Sequence, residues 1–217
     1  MKIAVIGGTG KEGSALAFRW ARAGVEVIIG SREEGKAKTV ADELNKSHQG
    51  PRIAGKANAA AASAADQIVV LTVPYSAHKN TLADIKSGVA GKILVDVTVP
   101  LDPQNPRRVI MPPEGSATEE AMAFLGDSVK VVAALQNVSS GSLHDYDHPI
   151  HCDILVCGKD KEAKQASIQL MEKLGVKAYD AGDAQSARAV EAMTAVLIGL
   201  NIRYKLKHAG IKVWEGD

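Results

Sequence analysis

Lys2-Ile3-Ala4-Val5-Ile6-Gly7-Gly8-Thr9-Gly10-Lys11-Glu12-Gly13 opens the chain with a short apolar run that breaks on a glycine cluster and continues into a helical pattern. The spacing Gly8-x-Gly10-x-x-Gly13 is that of a dinucleotide-binding turn. The first glycine permits the tight turn, the second lets the backbone approach a pyrophosphate, and the third lets the helix press on the strand. The helix beginning at Lys11 presents unpaired N–H groups and the positive end of its dipole to an anion. Strand, turn and helix in this order make the motif far more specific than a glycine-rich turn alone.

Beyond this start, Val- and Ile-rich runs alternate with longer helical stretches. Strands are predicted over residues 2–7, 26–30, 67–72, 92–97, 129–134, 153–157 and 177–180, and helices over 11–23, 33–45, 59–65, 76–86, 117–125 and 161–174. Uninterrupted apolar strands such as Ile68-Val69-Val70-Leu71 require cover on both faces, which helices on both sides of a parallel sheet supply. The expected class is therefore α/β: a Rossmann-type, doubly wound, mainly parallel sheet with a small C-terminal helical extension. Residues 1–150 read as a Rossmann domain that binds the dinucleotide and 151–217 as a smaller part completing the sheet and the substrate pocket. Asn58 is expected to cap the alanine-rich helix that follows it. Five prolines between Thr98 and Gly115 (Pro100, Pro103, Pro106, Pro112 and Pro113) predict a long loop without regular structure. The polar stretch 136–151 also follows a strand, at the edge where open parallel sheets bind ligands. Residues 184–209 form the longest helical pattern, followed by a short Ile211-Lys212-Val213 tail.

Composition narrows the function. Lys and Arg total 26 against 25 Asp and Glu, so no bulk positive field recruits nucleic acid or anionic membrane, and 4% aromatic content leaves few stacking platforms. No run of 18 apolar residues predicts a membrane span, and the N-terminus lacks a signal-peptide pattern. Two cysteines, Cys152 and Cys157, support neither a disulfide framework nor a four-cysteine zinc site, which suits a reduced cytoplasmic protein.

At the end of the second strand an NAD-selective site places an acidic residue for the ribose 2′-hydroxyl, but here the chain reads Gly30-Ser31-Arg32. A guanidinium pairs with a 2′-phosphate, and Lys36, one helical turn on, adds a second cation, so NADP(H) is the expected cofactor. The alternative is that both cations are solvated and paired with Glu33 and Glu34. The strand end Leu71-Thr72-Val73-Pro74-Tyr75 is expected along the cofactor.

These residues, together with Leu155-Val156-Cys157-Gly158, Asp180-Ala181-Gly182 and Gly210-Ile211-Lys212, resemble the NADPH-dependent reductases of coenzyme F420 almost end to end. The resemblance implies that Thr9, Ser31, Arg32 and Lys36 hold the 2′-phosphate side of NADP. It also implies that the Val73 to Tyr75 turn follows the cofactor, and that hydride passes directly between stacked nicotinamide and deazaflavin. Gln136-Asn137-Val138-Ser139-Ser140 stands where the archaeal pattern has His-Thr-Ile-Pro-Ala; Gln136, Asn137, Val138 and Ser139 are expected to line the pocket of the second substrate. Reduction of a flavin, quinone or other small acceptor is an alternative, as is a non-catalytic NADP-binding sensor.

Transfer between two hydride carriers needs no protein nucleophile, and no catalytic side chain is expected. The sequence shows no Tyr-x-x-x-Lys pair, Gly-x-Ser-x-Gly elbow or evident His-Asp relay. The series His144, His148, His151, Cys152 and Asp153 matches no metal-ligand template, so no metal is expected, and Cys157 reads as a small buried hydrophobe. The apolar C-terminal helix suggests a homodimer.

Overall fold

Alternate residues of the first strand enter different cores. Ile3 and Val5 pack with Ala15, Leu16 and Trp20, whereas Ala4 and Ile6 pack with Ala61, Leu82 and Leu94, all of them buried. A strand with two buried faces must lie inside a sheet sandwiched between helix layers.

The computed structural model, describing residues 1–216, begins β1 (Lys2–Ile6), α1 (Lys11–Arg22), β2 (Glu26–Ser31), α2 (Glu34–Asn45), β3 (Ala54–Ala57), α3 (Asn58–Ala64) and β4 (Ile68–Leu71). It continues α4 (Tyr75–Val89), β5 (Ile93–Asp96), β6 (Leu101–Asp102), β7 (Asn105–Val109), α5 (Ala117–Leu125), β8 (Lys130–Ala133) and α6 (Ser140–His144). The last elements are β9 (Ile154–Gly158), α7 (Lys161–Glu172), β10 (Ala178–Asp180), a 3-10 turn (Ala184–Ser186) and α8 (Ala187–Tyr204).

Eight strands form one sheet in the order β10-β9-β8-β5-β4-β1-β2-β3. All pairings are parallel except β8 with β9, where Val132 faces Gly158 and Ala133 faces Cys157. The chain winds outward from β1 through β2 to β3, then crosses back so that β4 lies on the other side of β1. That reversal opens a crevice at the carboxyl ends of β1 and β4, the place where doubly wound sheets bind ligands. The fold is the doubly wound Rossmann type, with α8 as its C-terminal helix.

Several local expectations are corrected. Ala54–Ala57 forms an edge strand on β2, although Ala-Gly-Lys-Ala has little strand character; backbone pairing supplies what the side chains do not. Asn58 is no cap: α3 begins at Asn58 with Ala57 in the cap position, and the Asn58 side chain is buried towards Gly30. The proline-rich segment contains the antiparallel β6–β7 pair, because a two-stranded ribbon is all edge and tolerates Pro106. The polar stretch after β8 contains the short helix α6, capped by Ser139, whose Oγ accepts from Gly141 N at 3.2 Å. The long C-terminal helix ends at Tyr204, five residues early. Lys205 turns left-handed (φ 55°), and the Asn201 side chain accepts from Ala209 N at 2.8 Å, redirecting the chain. The tail then docks on residue 153, with Asp153 N donating to Ile211 O and Val213 N donating to Asp153 Oδ2, both at 2.8 Å.

Candidate active site

A cleft of about 480 Å³ lies over the carboxyl ends of the central strands. Its walls come from the first turn of α1 (10–12), the end of β4 (72–75), the end of β5 (97–99), residues 136–140 after β8, and α8. From the sequence-predicted residues it brings together Gly10, Lys11, Glu12, Thr72, Val73, Pro74, Tyr75, Gln136, Asn137, Val138 and Ser139. Thr194, Leu197, Ile198 and Asn201 of α8 close the far side, and sequence reading did not place them there. The signal was their near-helical spacing in a long amphipathic stretch.

The fingerprint is held open by backbone geometry. Gly7 adopts φ +77° beside Val73, and a Cβ on Gly13 would lie 2.8 Å from both Gly7 O and Gly8 Cα, so only glycine lets α1 start this close to β1. Gly10 occupies the N-cap position with no side-chain cap, so the first-turn N–H groups of α1 remain available to a ligand. Glu12 stands in that turn, half-buried, and burial pushes its carboxyl up to about 8.

Gly8, Thr9, Gly13, Ser31, Arg32 and Lys36 lie outside the lining of this cleft, along a path towards β2. Gly8 N donates to Gly30 O at 3.1 Å and joins the glycine turn to the end of β2. Ser31 is buried there, its Oγ accepting from Glu33 N at 3.2 Å. Arg32 and Lys36 are exposed, and among the described residues neither makes an ion pair; Glu34 is taken by Lys38 at 2.6 Å. A side-chain-free helix start and two free cations one strand away fit a dinucleotide with an additional ribose phosphate.

The other wall is fixed by long-range bonds. Gln136 Nε2 donates to Asp96 O at 2.8 Å, Asn137 Nδ2 donates to Asp153 O at 2.7 Å, and Thr194 Oγ1 donates to Gln136 O at 2.7 Å. Arg19 of α1, which sequence reading passed over, secures the segment beyond. Its Nε donates to Leu143 O at 2.7 Å, and its Nη2 reaches the carbonyl oxygens of Ser142 (3.0 Å), Asp145 (2.6 Å) and His148 (3.3 Å). One guanidinium thereby couples the fingerprint helix to the loop after β8.

A His-Asp pair absent from the sequence reading is present in three dimensions. His78 Nε2 lies 2.7 Å from Asp96 Oδ2, and His78 Nδ1 lies 3.3 Å from Glu120 Oε2. Burial opposes charge on the imidazole, but Asp96 and Glu120 outweigh it and its pKa moves up. Neither His78 nor Asp96 lines the cleft. Asp96 Oδ1 accepts from Thr98 N at 3.0 Å, so the pair holds the cleft floor. Burial, with Glu120 beside it, pushes the Tyr75 phenol up to about 12.

Among the described residues no three His, Cys, Asp or Glu side chains gather to hold a metal ion. Cys152 and Cys157 are buried, free thiols that burial pushes up to about 11, the environment of packing residues rather than nucleophiles. No helix among the described residues is long and apolar enough to cross a membrane.

Residues 2–100 match the sequence family described as NADP oxidoreductase, coenzyme F420-dependent. The chain is 42% identical to the F420-dependent NADP reductase of Methanocaldococcus jannaschii over 98% of both chains. It is 43% identical to the F420-dependent NADP reductase of Methanothermobacter thermautotrophicus, over 98% of this chain and 94% of the other. Among solved structures, a putative F420-dependent NADP reductase from Arthrobacter superposes with a TM-score of 0.84 at 28% identity, covering 99% of this chain and 100% of that one.

Proposed function

The chain belongs to the family of F420-dependent NADP reductases, oxidoreductases that pass a hydride between NADP(H) and coenzyme F420, and on that premise we propose how its residues divide the work. The observation that carries the proposal is the single cleft in which the fingerprint turn, the Val73 to Tyr75 turn and the Gln136 to Ser139 loop meet.

Gly8, Thr9, Gly10, Lys11 and Gly13 cradle the pyrophosphate at the start of α1, and Glu12 of the same turn meets the cofactor from inside the cleft. Ser31, Arg32 and Lys36 take the 2′-phosphate, with Thr9 beside them. Thr72, Val73, Pro74 and Tyr75 follow the nicotinamide half, and Gln136, Asn137, Val138 and Ser139 line the pocket of the deazaflavin. The two bound cofactors supply the hydride donor and acceptor carbons. The protein binds both rings in one water-poor cleft and orients them within reach, roughly 3 to 3.5 Å between reacting carbons. Residues 1–150 form the NADP-binding unit, and 151–217 complete the sheet and, through α8, the second pocket.

Two further features belong to this reading. A homodimer is proposed through the open face of α8, where Val196, Ile202 and Tyr204 are each more than half exposed. A cytoplasmic location is proposed from the two free thiols and the absence of an apolar helix of membrane length among the described residues. Mixing the protein with NADPH and oxidised F420 while following the deazaflavin's visible absorbance tests the activity. NADPH-specific bleaching is expected. Bleaching only of free flavin, or NADPH binding with no turnover of F420, would transfer the site to another acceptor or to a sensing role.

A further inference from the structure

Glu12 is the unusual member of the cleft: a carboxyl lining a ligand site, half-buried, with no hydrogen bond or ion pair to its side chain among the described residues. It stands on the first turn of the helix that faces the dinucleotide and shares one cavity with the end of β4 and with residues 136–140. The groups around it are almost all uncharged. Residues 72–74 and 97–99 present methyl groups and hydroxyls, residues 136–140 present amides and hydroxyls, and α8 presents Thr194, Leu197, Ile198 and Asn201. The other titratable groups in the lining are Lys11, exposed on the same turn, and Tyr75, which stays protonated. No side chain among the described residues pairs with an anion at Glu12; the free N–H groups of the first turn of α1 favour one, but burial outweighs them and raises the carboxyl to about 8.

Resting on the family reading above, we infer that Glu12 is the proton-exchanging group of the cleft, protonated beside a reduced nicotinamide and ionised beside the oxidised, cationic ring. Hydride transfer alone leaves the reaction one proton short. When NADPH reduces the deazaflavin, a C–H bond of the dihydronicotinamide breaks with both electrons and a C–H bond forms on the acceptor carbon. The dinucleotide is oxidised, the acceptor is reduced, and one proton must reach an acceptor ring nitrogen. The Glu12 O–H supplies that proton, and the carboxylate left behind faces the new positive charge, which stabilises it in a cleft that shields charge poorly. In the reverse direction the carboxylate takes the proton back. Between turnovers Glu12 re-equilibrates with solvent, and a group titrating near the working pH does this in either direction.

The test is calorimetric titration of the protein with NADP+ and with NADPH at pH 7.5, in buffers of different ionisation enthalpy, which counts protons released on binding. Both ligands carry the same 2′-phosphate, so its own proton cancels in the difference. NADP+ is expected to release at least about half a proton more than NADPH, and the difference to disappear towards pH 5, where Glu12 stays protonated in both complexes. In Glu12→Gln, an isosteric neutral variant whose circular dichroism and thermal midpoint report its fold, the difference should be absent at both pH values. A wild-type difference that persists in Glu12→Gln or at pH 5, or no difference in the wild type, overturns the inference. Failure of the wild type to bind either dinucleotide would instead remove the family-based reading of the cleft, and the inference with it.

Discussion

A 2′-phosphate carries close to two negative charges, and Arg32, proposed to hold it, has a planar fork of donors that no neighbouring carboxylate occupies. In Arg32→Ala, NADPH affinity should fall about tenfold to a hundredfold, the scale of a charge-assisted pair, while weak NADH binding stays within about twofold. Fluorescence titration of both dinucleotides checks this, and equal losses for the two would remove Arg32 from the phosphate site. The place of Arg32, just past the end of the second strand, was legible because the motif fixes it. The same logic located Gly13, whose Cβ would collide with the glycine turn. His78 and Asp96 were not legible, since 18 residues separate them and only the packing of α4 beside β5 brings them to 2.7 Å. Glu12 lies between: its position could be read, but the cleft it shares with α8 joins residues nearly two hundred positions apart.

Elements repeat this division. Those with strong periodicity, such as β1, α1, β4 and α7, appear where the apolar pattern puts them, because burial on one or two faces dictates the pattern. β3, the β6–β7 ribbon and α6 lack such a pattern and owe their form to neighbours: β2 for the first, α8 against β7 for the second, and Arg19 for the third. The α6 segment can therefore be loosened from a distance. Arg19→Ala removes four of the guanidinium bonds to the carbonyl oxygens of 142–148 and leaves the one from Arg22 to Tyr146, and Arg19→Lys restores the charge without the fork. Both variants should lose amide-exchange protection over residues 140–149 while β1 keeps its own. The KM for F420 should rise about tenfold, with NADPH affinity within about twofold. Loss of protection throughout the sheet would mean that Arg19 stabilises the whole fold rather than this wall.

Across the whole molecule, Glu191 and His78 add to Glu12 in a common pH trend. Glu191 is fully buried on α8, accepting from Ala117 N (2.8 Å), Thr118 N (3.1 Å) and Thr118 Oγ1 (2.9 Å), yet burial outweighs these bonds and raises its carboxyl to about 7. A carboxyl raised from 4.5 in the unfolded chain favours the fold while it holds its proton, so its contribution is present below pH 4.5 and is lost as pH rises to about 7. His78, also raised, contributes below its unfolded value and loses that contribution as pH passes its higher folded value. The unfolding free energy from urea titration should thus decline from about pH 5 to pH 8, by on the order of 3 kcal/mol from Glu191, and Glu191→Gln should make the decline shallower below pH 7. A midpoint that rises with pH over this range would contradict the assignment. The same helix carries the proposed dimer face, because it divides its sides between the core and solvent: Val190 and Leu197 are buried while Val196 and Ile202 are not. A charge placed on the outward side should separate subunits without touching the cleft. Val196→Asp with Ile202→Asp is expected to halve the mass measured by light scattering while leaving the affinity for NADPH within about twofold, since the proposed paired surface is apolar and the proposed dinucleotide site lies at the start of α1. A wild-type chain that already runs at about 23 kDa at micromolar concentration would refute the dimer and leave those side chains as isolated exposed apolar groups.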